Sequence, residues 1–251
     1  MSGLDVRVDD KRFAGEAILQ SLEFSADSGE FLALVGPSGA GKSTLLNLIS
    51  GLDDDFIGSV CWQDAQPSTT EQTSPRLGMM FQEPRRMPWL SALDNVRLVQ
   101  PGRGDDSKAR ELLHEVGLGE ALDAWPNQLS GGMQRRVALA RAFAVSPRLL
   151  LMDEPFVSLD MPTGNRLRAS LLALWQRERP LVLFVTHDLR EALALADRVL
   201  FISHPPARLI LDYKVPLARP RHLEGRDIAQ LQEELFTEHP GLLSGIVKAE
   251  D

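Results

Sequence analysis

Three glycines, a lysine and three hydroxyl side chains stand in the order Gly36-Pro37-Ser38-Gly39-Ala40-Gly41-Lys42-Ser43-Thr44. The spacing G-x-x-x-x-G-K-[ST] suits one task, which is cradling phosphate oxygens. Gly36, Gly39 and Gly41 let backbone N–H groups converge on an anion, and a helix starting at Lys42 would add its positive N-terminal end. Lys42 is placed to reach the β- and γ-phosphates, and the Ser43 hydroxyl to reach a Mg²⁺ ion. This predicts that a nucleoside triphosphate binds here, and leaves open what its energy does.

Two carboxylates extend the chemistry. Leu149-Leu150-Leu151-Met152 is an apolar run that ends in Asp153-Glu154, which puts both acids at the carboxyl edge of a sheet, where α/β folds place ligands. There Asp153 can hold the metal and Glu154 can accept a proton from an attacking water. Gln82 follows another short apolar run, Leu77 to Phe81, and offers a neutral amide oxygen to the same ion. His187 closes the run Leu181 to Thr186 and offers a ring N–H to a terminal phosphate. Leu129-Ser130-Gly131-Gly132-Met133-Gln134 opens a helix with a hydroxyl cap and two glycines, a second anion-seeking arrangement.

These residues need strands and helices to hold them. Phe31 to Val35 before the glycine loop and Leu45 to Ile49 after it predict a buried strand, a loop and a helix. Alternating apolar residues over 4–8 and 17–25 predict a β-rich entry, and Gly58 to Trp62 a further strand. The patterns turn helical at Ser91–Val99, Asp106–Val116 and Gly131–Val145. Strands return at Arg148–Met152, Leu181–Thr186 and Arg198–Ser203, separated by helical stretches at 161–178 and 188–196. The fold class is therefore α/β, with a mostly parallel sheet, an N-terminal antiparallel part and an inserted helical block. From 216 the chain looks like a surface appendage around a polar helix, Arg226 to Leu235, rich in Glu224, Asp227, Glu233 and Glu234.

Composition excludes several classes. The 251 residues carry a net charge of −8, without the basic footprint of a nucleic-acid binder. Cys61 is the only cysteine, so no internal disulfide forms, as suits a reducing cytosol. The start MSGLDVRVDD does not read as a secretory signal. The apolar runs fall far short of the ~20 residues of a spanning helix, so a membrane role would be peripheral.

Taken together the chain resembles the ATPase subunit of an ATP-binding cassette (ABC) transporter. Gly36 to Thr44 is similar to that family's Walker A loop, Gln82 to its Q-loop glutamine, LSGGMQ to its signature, LLLMDEP to Walker B, Ser158-Leu159-Asp160 to the D-loop and His187 to the switch histidine, all in the family's order over roughly residues 10–200. The resemblance implies a P-loop NTPase core over 1–215, a helical subdomain inserted at about 83–146 and an extension over 216–251. It implies ATP and Mg²⁺ as ligands, adenine stacked on Phe13, and catalysis by Glu154, His187, Lys42 and Gln82, with Ser43, Gln82 and Asp153 on the metal. Taken from the residues alone, Phe13 has a second reading as a core side chain on an edge strand.

It further implies a head-to-tail dimer, in which a second copy brings Ser130, Gly131, Gly132 and Asp160 to the nucleotide held by Gly36–Thr44. Partners would be membrane permease subunits and, indirectly, an extracytoplasmic solute-binding protein, with the chain on the cytoplasmic face of the inner membrane. Pro84 to Leu90, with Trp89 as an apolar anchor, are candidates for the permease contact; Trp89 could equally belong to the helical core. The run FQEPRRMPWLSALDNV resembles importers of the nitrate, sulfonate and taurine group. Importers of other small solutes, exporter ATPases and non-transport cassettes of DNA repair or the ribosome stay open, although the last usually carry two cassettes or a long coiled coil. A P-loop kinase or GTPase would lack LSGGMQ, and no NKxD guanine-reading motif is present.

Overall fold

A computed structural model describes residues 3–63, 75–83, 85–100 and 106–245. The polar stretch from 64 to 74, Pro84 of the expected docking segment and 246–251 of the extension lie outside the described residues. In chain order the elements are β1 (Gly3–Phe13), β2 (Glu16–Asp27), β3 (Phe31–Val35), α1 (Lys42–Ser50), β4 (Ile57–Gln63), β5 (Leu77–Met80), α2 (Ala92–Arg97), α3 (Ser107–Glu115), α4 (Gly131–Ala144), β6 (Leu149–Asp153), α5 (Met161–Glu178), β7 (Leu181–Thr186), α6 (Leu189–Leu195), β8 (Arg198–Ile202), β9 (Leu209–Lys214) and α7 (Arg226–Glu238). They form two compact units, one from Met1–Gln72 with Leu181–Asp251 and one from Thr73–Pro180. The second unit takes β5, β6 and α5 along with the helices, and the extension belongs to the first.

In the first unit β1 lies between β2 and β4 in an antiparallel sheet. Leu4, Val6 and Val8 of β1 and Leu22, Phe24 and Ala26 of β2 are buried on one face while their neighbours are more exposed, the period-two pattern of a half-covered sheet. The register shifts at Lys11/Arg12 against β2 and between Val8 and Asp10 against β4. Such bulges re-aim side chains, and Lys11 is buried with its ammonium on Asp53 Oδ1 at 2.9 Å and the Asp55 carbonyl at 2.6 Å. A second layer places β3 between β7 and β8, all parallel, with β9 antiparallel on β8. Every residue of β3 and β7 is buried, as interior parallel strands require. Arg198 at the start of β8 binds Glu30, Asp212 and the Ser25 carbonyl and so fastens β2, β3 and β9 to one another.

The extension is more than an appendage. Ile228, Leu231 and Leu235 recur at helical spacing along α7 and are buried, and Arg190 of α6 donates to Gln232 at 2.8 Å. The approach to α7 closes the C-terminal end of α6: Arg221 donates to the Leu193 carbonyl at 2.9 Å and the Ala196 carbonyl at 2.6 Å, and Arg219 binds Asp197 and the Leu195 carbonyl. Carbonyls at a helix end lack intrahelical partners, so these arginines explain why the chain turns back here. Asp227, Glu233 and Glu234 of α7 are exposed.

In the second unit β5 and β6 pair in parallel and α4 packs on α2, α3, α5 and β5. Gly78 permits this closeness, since a Cβ there would stand 2.4 Å from the Ala142 carbonyl. Ser91 caps α2 by accepting the Asp94 N–H at 3.1 Å, and buried Asn95 holds the preceding segment by accepting from Met87 N and donating to the Met87, Leu90 and Ser91 carbonyls. Because Ile228 is wholly buried, Ile228→Ala should lower the stability of the chain by about 2–5 kcal/mol in urea unfolding; a change below about 0.5 kcal/mol would show the extension to be a loose cover.

Candidate functional site

The glycine loop is built as its spacing requires. Gly39 and Gly41 adopt φ of 78° and 84°, a region costly for other residues, and a Cβ on Gly36 would stand 2.6 Å from Ile202 Cγ1. Lys42 begins α1 with only 7% of its surface exposed, and its Nζ donates to the carbonyls of Gly36 at 2.8 Å and Pro37 at 2.7 Å. The Ala40 N–H closes the turn on Pro37 O at 3.2 Å. The first turn of α1 has no side-chain cap and no acidic residue, leaving its end electropositive, with the Ser43 hydroxyl exposed and Thr44 beside it. Buried Leu45, Leu46, Leu48 and Ile49 hold the helix down.

Strand pairing brings His187 to this loop. Val35 stands opposite Thr186, so Gly36 and His187 leave adjacent parallel strands at the same edge, and His187 is exposed there. Its neighbours fix its turn: the Thr186 hydroxyl donates to Glu191 at 2.9 Å and accepts the Asp188 N–H at 3.0 Å, while Asp188 caps α6 through the N–H groups of Arg190 and Glu191. Phe13, at the end of β1, is 75% exposed, which excludes the core reading and leaves its ring face open for stacking.

The second unit repeats the edge arrangement. Met80 stands opposite Met152, so Gln82 and the pair Asp153-Glu154 follow the ends of paired strands. Gln82 is exposed and both acids are half-buried. Glu154 has φ 44°, an uncommon conformation for a side-chain-bearing residue, of a kind that clusters at functional sites. Arg135 of α4 braces it, donating to the Pro155 carbonyl at 3.0 Å and the Glu154 carbonyl at 3.4 Å. Burial pushes the Arg135 guanidinium down and the Glu154 charge opposes that shift. Sequence reasoning missed Arg135, which reads as one of two arginines on a polar helix start; only the fold shows which of them turns inward.

The signature segment and the aspartate expected to reach the nucleotide in trans lie together. Ser130 caps α4 by accepting the Met133 N–H at 3.3 Å, and Asp160 caps α5 by accepting the Thr163 N–H at 3.0 Å. That backbone bond holds the Asp160 carboxyl below its ordinary value. Gly131 faces open space, whereas a Cβ on Gly132 would stand 2.2 Å from Thr163 Cγ2, so Gly132 seats the start of α4 on the start of α5. Among the described residues no group of three or more His, Cys, Asp or Glu side chains could hold a metal alone.

Comparison with known proteins decides what these halves belong to. The family model described as ABC transporter matches residues 19–157, from β2 to the turn after Glu154. The chain belongs to the ABC transporter family. It is similar to an aliphatic sulfonates import ATP-binding protein of Pseudomonas syringae pv. syringae (strain B728a), 41% identical over 94% of this chain and 95% of that one. Another protein of that description, from Burkholderia cenocepacia (strain HI2424), is 43% identical over 93% of this chain and 86% of its own. Among solved structures, a dimeric bacterial ABC transporter cassette is 30% identical with a TM-score of 0.72, covering 87% of this chain and all of that one. A dimeric ATP-binding cassette in a post-hydrolysis state with ADP and Pi is 29% identical with a TM-score of 0.71 over the same shares.

This ABC chain is thus an ATP-binding subunit and an ATPase, with the α/β cassette fold, and none of its described helices is long and apolar enough to cross a membrane. The brace on Glu154 can be tested directly. Arg135→Ala should lower kcat for ATP hydrolysis on the order of 10²-fold, the cost of misplacing a reacting group, while the dissociation constant for ATP stays within about two-fold of wild type. Equal losses in kcat and affinity would mean that Arg135 does not act through Glu154.

Proposed function

We propose that this ATPase energises uptake of a small solute of the nitrate, sulfonate or taurine class through a separate membrane permease. The observation that carries the substrate class is the likeness to aliphatic sulfonates import proteins at 41–43% identity over more than nine-tenths of the chain. The permease and an extracytoplasmic solute-binding protein select the solute, and the chain works at the cytoplasmic face of the inner membrane.

In this reading the N–H groups of Gly36 to Thr44 bind the phosphates and Phe13 stacks on adenine. Lys42 moves from its own loop carbonyls to the β- and γ-phosphates and offsets charge as the terminal bond breaks. Glu154 accepts the proton of the attacking water and His187 donates a hydrogen bond to a γ-phosphate oxygen. Ser43, Gln82 and Asp153 present only oxygen donors, which suits hard Mg²⁺, an ion usually held by one or two carboxylates together with phosphates and water. When bound, that ion would neutralise phosphate charge. Ser130, Gly131, Gly132 and Asp160 of a second copy complete the nucleotide's contacts. The triphosphate then favours the closed dimer, and hydrolysis removes that preference.

A groove in the second unit supports a permease surface there. Glu83, Arg86, Pro88, Pro126, Asn127 and Gln134 line an open groove of about 500 Å³. Asn95 fixes one wall, and Gln134 fixes the other by donating to the Pro126 carbonyl at 2.8 Å and the Leu129 carbonyl at 2.9 Å. Trp89 on the same segment is 66% exposed, so it is no core residue and can serve as an anchor. ATPase activity should rise when the chain is combined with its permease in membranes, and Trp89→Ala should abolish most of that rise with activity of the free chain retained. A chain unaffected by every candidate permease would overturn the transport reading, and full stimulation of Trp89→Ala would overturn this surface.

A further inference from the structure

The extension does not end on α7. After that helix a short turn, Leu242–Ser244, buries Leu242 and is bounded by Gly241 and Gly245, both in the left-handed region at φ 89° and 62°. Gly245 comes to rest against the glycine loop. A Cβ built on it would stand 2.7 Å from His204 N, 3.0 Å from Ser203 C and 3.0 Å from Pro37 Cγ, and the Gly245 carbonyl accepts the His204 N–H at 3.4 Å. No residue with a side chain fits without displacing something, and the backbone conformation disfavours one independently.

Residues 203 and 204 directly follow Ile202 of β8, the residue against which Gly36 is packed. The first two residues of the loop are therefore confined by separate neighbours, Gly36 by the end of β8 and Pro37 by the turn after α7. Pro37 also supplies one of the two carbonyls that hold the Lys42 ammonium. All of these groups lie in the first unit, and α7, anchored by Ile228, Leu231 and Leu235, delivers the turn to this position.

We infer that the Gly241–Gly245 turn is a strap that positions the phosphate loop by seating Pro37, so that the loop backbone is ordered before ATP arrives. Gly245 is a positioning residue, since it acts through Pro37. The physical effect is preorganisation: freedom removed from the loop in the free protein is not lost again on binding, and affinity for the triphosphate rises accordingly. The inference rests on the reading that Gly36 to Thr44 holds the triphosphate, and it adds a function for a segment that the cassette motifs do not include.

The test uses the full chain and compares ATP with adenosine, which lacks the phosphates that the loop holds. Gly245→Ala and Leu242→Ala should each raise the dissociation constant and KM for ATP about five-fold, with kcat within about two-fold of wild type and adenosine affinity unchanged. Gly51→Ala is the control: Gly51 also has a left-handed φ, 71°, but a Cβ there meets nothing within 4 Å, so this variant carries the backbone strain without the collision and should keep wild-type ATP affinity. Unchanged or tighter ATP binding by Gly245→Ala would overturn the strap, as would equal weakening of ATP and adenosine or a matching loss in Gly51→Ala. Lys42→Ala separates the two ideas, because a wild-type ATP affinity in that variant would remove the phosphate-loop reading itself.

Discussion

A buried ammonium held by two carbonyls of its own loop is the interaction on which the site depends. A cation so confined needs compensating oxygen atoms, and the Gly36 and Pro37 carbonyls supply them only because the loop curls back over the start of α1. That curl requires left-handed backbone at Gly39 and Gly41 and close approach at Gly36. The rest of the first unit supports the curl: β3, β7 and β8 end together, Ile202 backs Gly36, and α1 is pinned by its apolar face. Positive charge is concentrated beside the uncapped start of α1, where the helix end is itself electropositive.

The second unit solves a related problem with an acid. Glu154 follows Asp153 at the end of β6 and sits in an uncommon backbone conformation, which its surroundings must hold in place. Arg135 supplies that hold by donating to the Glu154 and Pro155 carbonyls. The caps at Ser130 and Asp160 are equally economical. Each uses a side chain to satisfy N–H groups at a helix start, and Gly132 against Thr163 fixes the two helix starts to one another.

Much of this was legible in the sequence because phosphate chemistry dictates spacing. The glycine loop, the strand ending in Asp153-Glu154, and His187 after Thr186 depend on local pattern, and pattern survives in a linear chain. The sequence left Phe13 and Trp89 open between core and surface, since an aromatic on a strand or in a proline-rich segment suits either, and the fold exposes both. Strand β9 escaped because Leu209 to Lys214 mixes apolar and polar residues on a half-exposed edge. Arg135, Asn95 and the Arg219–Arg221 pair were invisible for one shared reason: a polar side chain that satisfies distant carbonyls looks, in sequence, like any solvated one. The packing of the extension was hard to read because exposed acidic residues outnumber the three buried ones along α7.

The central claim is that one copy's glycine loop and another copy's signature segment hold the same nucleotide. Cross-linking measures this directly. Ser38 and Gly131 are exposed, and Gly131 has open space around it, so both tolerate cysteine; Cys61, also exposed, is replaced by serine. In a Glu154→Gln background, which should bind ATP without turning it over, a short bis-maleimide is expected to join Ser38→Cys of one chain to Gly131→Cys of another when ATP is present and not when it is absent. A monomer that remains unlinked between copies with ATP bound would contradict the account.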